Sequence, residues 1–297
     1  LDAFATPGRP TRTELEAQRD RDVIALGKTQ NADGGWGYFG GMRSDPTVSM
    51  QVVSALGASK ATGPVVQRAT AFATKEMIKA FDDLRRRLGA PERKPTPDED
   101  TYLVSFAAAA LTNLASIGQD MRGRAEQLHA IATAIKAYPV DAKARVLALL
   151  AKLDRAKAIR TKLTNDLLSA IHETAAAATV TASYVEAERL LLPSSGKTNA
   201  LVLDALIKET PDHALIQKLA RGVLESRRSG RWRSTQENLV SLQAMRRYFD
   251  TYEKATPNYV GKLWLGSASY AEQAFVGRST AKGVAQAGWT SLTPGTA

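Results

Sequence analysis

The 297-residue sequence contains no cysteine. A chain without thiols forms no disulfide, offers no thiolate to a metal and has no cysteine nucleophile. The sequence also lacks a run of about 18 apolar residues, so we expect no membrane-spanning helix. Aromatic residues make up only 6% of the chain, whereas hydrophobic residues make up 44% and charged residues 24%. This balance is typical of a folded globular protein.

Histidine is also scarce, and its three residues, His129, His172 and His213, stand far apart in the sequence. None has a second histidine at the spacing of a metal-ligand pair. The acidic groups at 82–83 and 98–100 are explained by neighbouring arginines and by a helix N-terminus, where acids are favoured. We therefore predict no metal site, no cofactor and no catalytic residue.

Positive charge is in excess, with 40 Lys and Arg against 30 Asp and Glu, and it is concentrated between Asp141 and Lys162. A basic helical face can attract phosphate backbones or acidic protein surfaces. No aromatic residue is interleaved with these bases, although single-strand nucleic acid binding uses aromatic stacking. We interpret the segment as a solvated helix face and expect no nucleic-acid partner.

Helical periodicity runs from Thr13 to about Thr256. Thr13 with Glu16, and Ser234 with Glu237, form capping boxes, while Asp45 precedes a proline at a helix start. The turns between the expected helices are short, which favours antiparallel helical hairpins. The first expected helix runs from Thr13 to near Gly27, and the second begins at Asp45. Five more are expected over 65–88, 98–114, 121–137, 141–153 and 156–171. The last three begin near Ser194, Pro211 and Ser234.

Two regions have strand-like patterns instead. The first region comprises two segments that are rich in β-branched residues or in which apolar and polar residues partly alternate. These segments, 179–186 and 189–193, predict a small β-hairpin inserted among the helices. After Pro257, residues 259–265, 270–276 and 283–292 predict three strands, too few for an independent sheet. The predicted division is therefore a helical domain over 1–256 and the first strands of a β-domain over 257–297.

The most distinctive motifs are two glycine–tryptophan corners almost 200 residues apart. Glycine permits a tight turn and tryptophan can plug the space between helices, so we favour a structural role over ligand binding. A helix rather than a strand precedes the first corner, which excludes a dinucleotide fingerprint. The corner residues are Gln30, Asp33, Gly34, Gly35, Trp36 and Asp45 in the first, and Gly230, Trp232, Ser234, Thr235, Gln236, Glu237 and Asn238 in the second.

The segment Ser194–Thr198 resembles part of a phosphate-binding loop. The first glycine of that motif is missing, because Leu191 occupies its position. We interpret the segment as a turn followed by a helix cap.

These motifs, together with the segment from Pro193 to His213, resemble the thioester domain of bacterial alpha-2-macroglobulins in sequence and order. The resemblance implies an α/α toroid in a large periplasmic or cell-envelope inhibitor of broad endopeptidase specificity. Such proteins trap a protease after it cleaves a bait region, so the implied partners are target proteases and neighbouring domains of the same polypeptide. No enzyme activity is implied.

The chain departs from that family pattern at the thioester, which needs a cysteine. The residues at 1–10 include no initiating Met and no signal peptide, so we interpret them as the cut end of a longer polypeptide. The thioester motif then lies upstream, or the parent belongs to a thioester-free branch.

Two other functions stay open on the sequence. The first is a helical scaffold that binds an acidic partner through its basic face. The second is a terpenoid-cyclase-like enzyme, since Gln30–Trp36 resembles the Gln-Trp repeats of triterpene cyclases. The residues Pro97–Asp100 do not provide the Asp-x-Asp-Asp acid motif of those enzymes, which disfavours the second.

Overall fold

A computed structural model describes residues 10–90, 96–253, 256–277, 284–286 and 288. Over these residues the chain is mainly α-helical, with two small antiparallel hairpins, as predicted. The helices are α1 Arg12–Thr29, α2 Pro46–Ala58, α3 Pro64–Leu88, α4 Pro97–Ser116, α5 Arg122–Ala134, α6 Val140–Leu150, α7 Lys157–Ser169, α8 Ser195–Glu209, α9 Leu215–Glu225 and α10 Thr235–Tyr252. The strands are β1 Ile171–Glu173, β2 Ala178–Val180, β3 Asn258–Leu265 and β4 Ala268–Val276.

The chain divides into two compact units. The larger unit is Arg19–Tyr248, and the smaller consists of the two terminal stretches outside it. In the larger unit α2, α4, α6 and α8 pack side by side in sequence order and form an inner layer. Helices α3, α5 and α7 each pack on the two inner helices beside them in the chain and form an outer layer, and α9 packs on α8 and β2. Consecutive helices therefore alternate between an inner and an outer layer.

Helix α10 joins the two ends of the inner layer. Arg247 forms an ion pair with Asp204 on α8. At the other side, the Gln236 side chain donates to Gln51 Oε1 on α2 at 3.2 Å. Helix α10 thus contacts both α2 and α8 through polar side chains.

Small residues allow the inner helices to approach closely. In α4, Ala107, Ala108 and Ala110 are completely buried. Gly57 of α2 lies so near α4 that an added Cβ would stand 2.0 Å from Ser116 Oγ. The alanine-rich composition of α4 therefore serves helix packing, as the sequence indicates.

The start of α1 differs from the prediction. Thr11, not Thr13, caps this helix, because Glu14 N donates to Thr11 Oγ1 at 3.2 Å and Thr11 N donates to the Glu14 carboxylate at 2.7 Å. Glu16, the expected partner of Thr13, instead pairs with Arg12 at 3.0 Å. The helix also continues past Gly27 to Thr29.

The inserted hairpin exists but uses other residues than predicted. Strand β1 pairs with β2 in the register Ile171 with Val180, so only the start of the predicted first strand pairs in the hairpin. Residues Glu186–Leu191 form a 3₁₀ helix rather than the second strand. The reason is a buried carboxylate: Glu188 accepts a hydrogen bond from Val185 N at 3.0 Å and turns the chain there.

The smaller unit contains the hairpin of β3 and β4, which occupies the first two strands predicted after Pro257. Tyr259 stacks on Phe275 with ring centroids 5.1 Å apart, and Lys262 pairs with Glu272 across the ladder. Trp264 is 56% exposed. Of the predicted third strand, residues 284–286 and 288 are not extended in a ladder, and the rest lies outside the described residues.

We expect Gly222→Ala to lower the free energy of unfolding by about 2–3 kcal/mol, because its Cβ would stand 2.1 Å from the Ala178 carbonyl oxygen of β2 and force α9 away from the hairpin. The control is Gly123→Ala in α5, where an added Cβ meets nothing within 4 Å. Chemical denaturation measures both variants. Equal stability of the two would show that α9 and β2 are not in close contact.

Candidate functional site: the glycine–tryptophan corners and a buried polar cluster

The indole of Trp36 fills the corner after α1 and is only 3% exposed. Its Nε1 donates to the Leu26 carbonyl in the last turn of α1 at 3.0 Å. The Thr29 hydroxyl donates to the same carbonyl at 3.1 Å. The backbone N–H of Trp36 donates to Ser49 Oγ at 2.8 Å, which links the corner to α2. The indole thus donates to one of the last carbonyls of α1, which lack the backbone partner that a continued helix would supply.

Trp232 fills the corner after α9 and makes the same kind of hydrogen bond. It is 6% exposed, and its Nε1 donates to the Val223 carbonyl in the last turn of α9 at 2.9 Å. The Ser226 hydroxyl donates to this carbonyl at 2.7 Å. The Arg227 guanidinium lies 5.7 Å from the indole centroid, in cation–π range. The two corners therefore repeat one arrangement, in which an indole and a hydroxyl donate to one carbonyl near the end of the preceding helix.

A glycine turn positions Trp36. Gly34 adopts φ +90° and lies so close to Arg68 that a Cβ would stand 2.3 Å from its carbonyl oxygen. The Asp33 carboxylate accepts from Gly35 N at 3.1 Å and from the Ser44 hydroxyl at 2.6 Å. The Ser44 hydrogen bond, above all, holds the pKa of Asp33 below its ordinary value. Only glycine fits position 34 without strain.

Gln30 and Asp45 connect this turn to the neighbouring helices. Gln30 Nε2 donates to the Gly34 carbonyl at 2.9 Å and to the Val65 carbonyl of α3 at 3.1 Å. Arg68 Nε donates to Gln30 Oε1 at 2.9 Å. Asp45 caps α2 by accepting from Val48 N at 2.9 Å, as predicted.

The second corner leads into α10, whose first residue is Thr235. Gly230 has φ +82°. Ser234 Oγ accepts from Glu237 N at 3.1 Å, so the predicted cap is present. The Glu237 carboxylate accepts from Arg233 N at 2.9 Å, one residue before the position that a capping box uses. Asn238 Nδ2 donates to the Ser234 carbonyl at 2.7 Å.

The carboxylates of the two corners thus stabilise the corners in which they lie. Asp33, Asp45 and Glu237 each accept hydrogen bonds from backbone or hydroxyl groups of their own corner. Groups held in this way fix a loop conformation.

Sequence reasoning missed a buried polar cluster between α4 and α8. The Ser105 hydroxyl donates to Glu188 Oε1 at 2.6 Å, and both residues are 1% exposed. Tyr184 and Thr198 share a hydrogen bond of 2.8 Å, and Lys197 Nζ donates to the Leu191 carbonyl at 2.8 Å. Burial raises the pKa of Glu188. The cluster joins the segment after β2 to two inner helices. No local sequence pattern reveals it, because Ser105 and Glu188 are 83 positions apart.

The basic segment is less open than the sequence suggests. Its bases are largely engaged with partners from other parts of the larger unit. These contacts join Lys143 to Asp166 (2.8 Å), Arg145 to Thr112 (2.8 Å), Arg155 to Glu126 (2.9 Å), Arg160 to Glu209 (2.5 Å) and Lys162 to Asp166 (3.8 Å). The segment therefore contributes mainly to internal pairing.

Among the described residues, no cluster of three or more His, Asp or Glu could hold a metal ion. Burial lowers the pKa of His129, whose ring lies 5.7 Å from that of Tyr138. Among the residues that the structure describes, no helix is long and apolar enough to span a bilayer.

The geometry thus defines a protein with two layers of helices, whose glycine–tryptophan corners stabilise the fold. Known proteins share this fold. The chain matches native alpha-2-macroglobulin from Escherichia coli, in a structure that spans domain MG7 to the C-terminus, with a TM-score of 0.56 and 16% identity over 93% of this chain and 40% of that one. It matches Salmonella alpha-2-macroglobulin reacted with methylamine with a TM-score of 0.59 and 14% identity, over 91% of this chain and 16% of that one. The E. coli protein activated by porcine elastase gives a TM-score of 0.53 and 16% identity, over 90% and 22%.

The expected likeness to bacterial alpha-2-macroglobulins is thus confirmed at the level of the fold. The chain spans between 16% and 40% of the length of these three solved proteins. No protein-family model and no curated protein sequence matches it.

We expect Trp36→Phe and Trp232→Phe each to lower the free energy of unfolding by about 1–3 kcal/mol, because each loses a buried hydrogen bond and leaves a small cavity. Trp264→Phe serves as the control, since this indole is largely exposed. Chemical denaturation gives the three values. A loss in Trp264→Phe as large as in the corner variants would contradict the structural role of the corners.

Glu188 gives the larger unit a pH-dependent stability. Because its pKa is raised in the folded state, its contribution is greatest below its ordinary pKa and is lost as the pH rises through the raised value. The stability of the wild type relative to Glu188→Gln should therefore fall as the pH rises above about 4.5. Ser105→Ala removes a hydrogen bond that lowers this pKa, so the loss should extend to higher pH. Parallel stability curves for the wild type and Glu188→Gln would refute the assignment.

Proposed function

We propose that this chain is a non-catalytic part of a bacterial alpha-2-macroglobulin-type inhibitor that traps proteases. The observation that carries the proposal is the shared fold over 90% or more of the chain with alpha-2-macroglobulins of two bacteria. The order of the two corners and the intervening Pro193–His213 segment supports it independently. In this proposal the larger unit is the α/α toroid and the strands after Pro257 begin the next β-domain.

The proposed partners are target proteases and the neighbouring domains of the same polypeptide. Structures of the E. coli protein include forms activated by porcine elastase and by trypsin, which supports proteases as the partners. We propose the periplasm or cell envelope as the location, as for the family. The role of the chain is mechanical, since its corner residues hold helices together and its carboxylates are engaged locally.

Any covalent capture of a protease by a thioester must use a cysteine outside this chain, because the chain has none. The corner residues accordingly receive no catalytic role. The basic-scaffold alternative is disfavoured, because most bases between Asp141 and Lys162 already pair with, or hydrogen-bond to, residues of the same unit.

The test uses the full-length polypeptide that carries this chain, mixed with trypsin. We expect cleavage of casein to fall while hydrolysis of a small chromogenic peptide continues, because a trapped protease is shielded from large substrates only. Trypsin whose active site has been blocked beforehand is the control, and it should not be retained in the complex. An equal loss of both activities, or no loss of either, would contradict a trap.

A further inference from the structure

The loop of residues 37–43, which follows Trp36, carries large apolar side chains on the surface. Tyr38 is 58% exposed, Phe39 is 76% exposed and Met42 is 47% exposed. Apolar side chains that are exposed singly are normal in soluble proteins, whereas several together mark a binding surface. The indole of Trp36 holds the corner together, and the exposed side chains beside it are available for a second role.

A tight turn at the tip of this loop carries the apolar side chains away from the helices. Met42 N donates to the Phe39 carbonyl at 3.1 Å, and Gly41 between them has φ +80°. A Cβ added at Gly40 or Gly41 would meet nothing within 4 Å. At the base of the loop, Asn31 Nδ2 donates to the Met42 carbonyl at 2.8 Å. The loop is therefore a projecting tip on a fixed base.

Basic side chains flank the tip. Arg43 is exposed in the loop itself, and Arg68 and Lys75 are exposed on α3. Arg68 reaches the base of the loop, because its Nε donates to Gln30 Oε1 at 2.9 Å. Lys75 is near enough for its charge to help lower the pKa of the Asp33 carboxyl group. These three bases outnumber the acids of the corner, so an apolar tip is combined with positive charge.

The size of the tip favours a lipid surface over a protein partner. Side chains with these exposures offer roughly 400 Å² of apolar surface. A stable protein complex buries about 800 Å² on each partner. A bilayer needs no complementary shape, favours aromatic side chains at its interface and, when anionic, attracts adjacent bases.

We propose that the loop at 37–43 docks on the surface of an anionic lipid bilayer. Phe39 and Met42 enter the headgroup region, and Arg43, Arg68 and Lys75 bind lipid phosphates. The contact is peripheral, since a single turn reaches only the interface. It does not depend on protease trapping, so the two proposals fail or succeed separately.

A fluorophore at the tip tests insertion directly. Because the chain has no cysteine, Gly40→Cys introduces a single thiol for a polarity-sensitive label, at a position with open space. Vesicles of phosphatidylglycerol and phosphatidylcholine should shift the emission to shorter wavelength, whereas phosphatidylcholine alone should not. The matched control is Gly123→Cys, which is equally open and lies between Arg122 and Arg124. No shift at position 40, or an equal shift at position 123, would overturn the proposal.

Unlabelled variants test the apolar contribution by cosedimentation with the anionic vesicles. Phe39→Ser should weaken binding about tenfold, because a large apolar side chain no longer leaves water. Leu242→Ser is the matched control, since Leu242 is 59% exposed on α10, and it should bind as the wild type does. Circular dichroism checks that both variants are folded. Wild-type affinity in Phe39→Ser would overturn the proposal.

A second pair of variants separates docking from general attraction to a basic protein. Lys75→Gln should weaken binding to the anionic vesicles about three- to fivefold. Lys157→Gln, which removes an exposed base on α7, should leave it unchanged. Equal losses in the two variants would show that net charge alone attracts the chain and would overturn the docking site.

The full-length polypeptide decides between the bilayer and a neighbouring domain as the partner of the loop. Its wild type should bind the anionic vesicles about tenfold more tightly than its Phe39→Ser variant, as in the isolated chain. Loss of this difference in the full-length polypeptide would show that a neighbouring domain covers the loop, and would overturn the proposal.

Discussion

The structure depends on close contact between inner helices, which small residues make possible. Gly57 touches Ser116, Gly196 lies against the Glu237 carboxylate, and the alanines of α4 are completely buried. A dense core of this kind loses stability with even one added methyl group. Tight corners connect consecutive helices in this packing, and the two indole corners, after α1 and after α9, are two of them.

Much of this could be predicted from the sequence because the signals are local. The caps at Asp45 and Ser234, the alanine stripe of α4 and the positions of the two tryptophans lie within one turn or one helix of the residues that define them. The expected cap at Thr13 was wrong by two residues, because Thr11 and Glu14 have the same spacing and form the cap instead.

The features that could not be predicted depend on distant contacts. The 3₁₀ helix at Glu186–Leu191 follows from Glu188 bonding to Ser105, 83 residues away. Strand β2 is placed by the contact of Ala178 with Gly222 of α9. The pairing of the basic segment likewise comes from helices that the sequence separates. In each case tertiary contacts override the local pattern.

We propose that the inner layer closes on itself through α10, and the absence of cysteine makes a direct test possible. Cysteines introduced as Gln51→Cys and Gln236→Cys would be the only thiols in the chain. A short thiol-reactive linker should join them in the native protein but not in denaturant. In the native structure Nε2 of Gln236 and Oε1 of Gln51 are 3.2 Å apart. Closure would be contradicted if both thiols reacted with a monofunctional reagent in the native protein while the linker failed to join them.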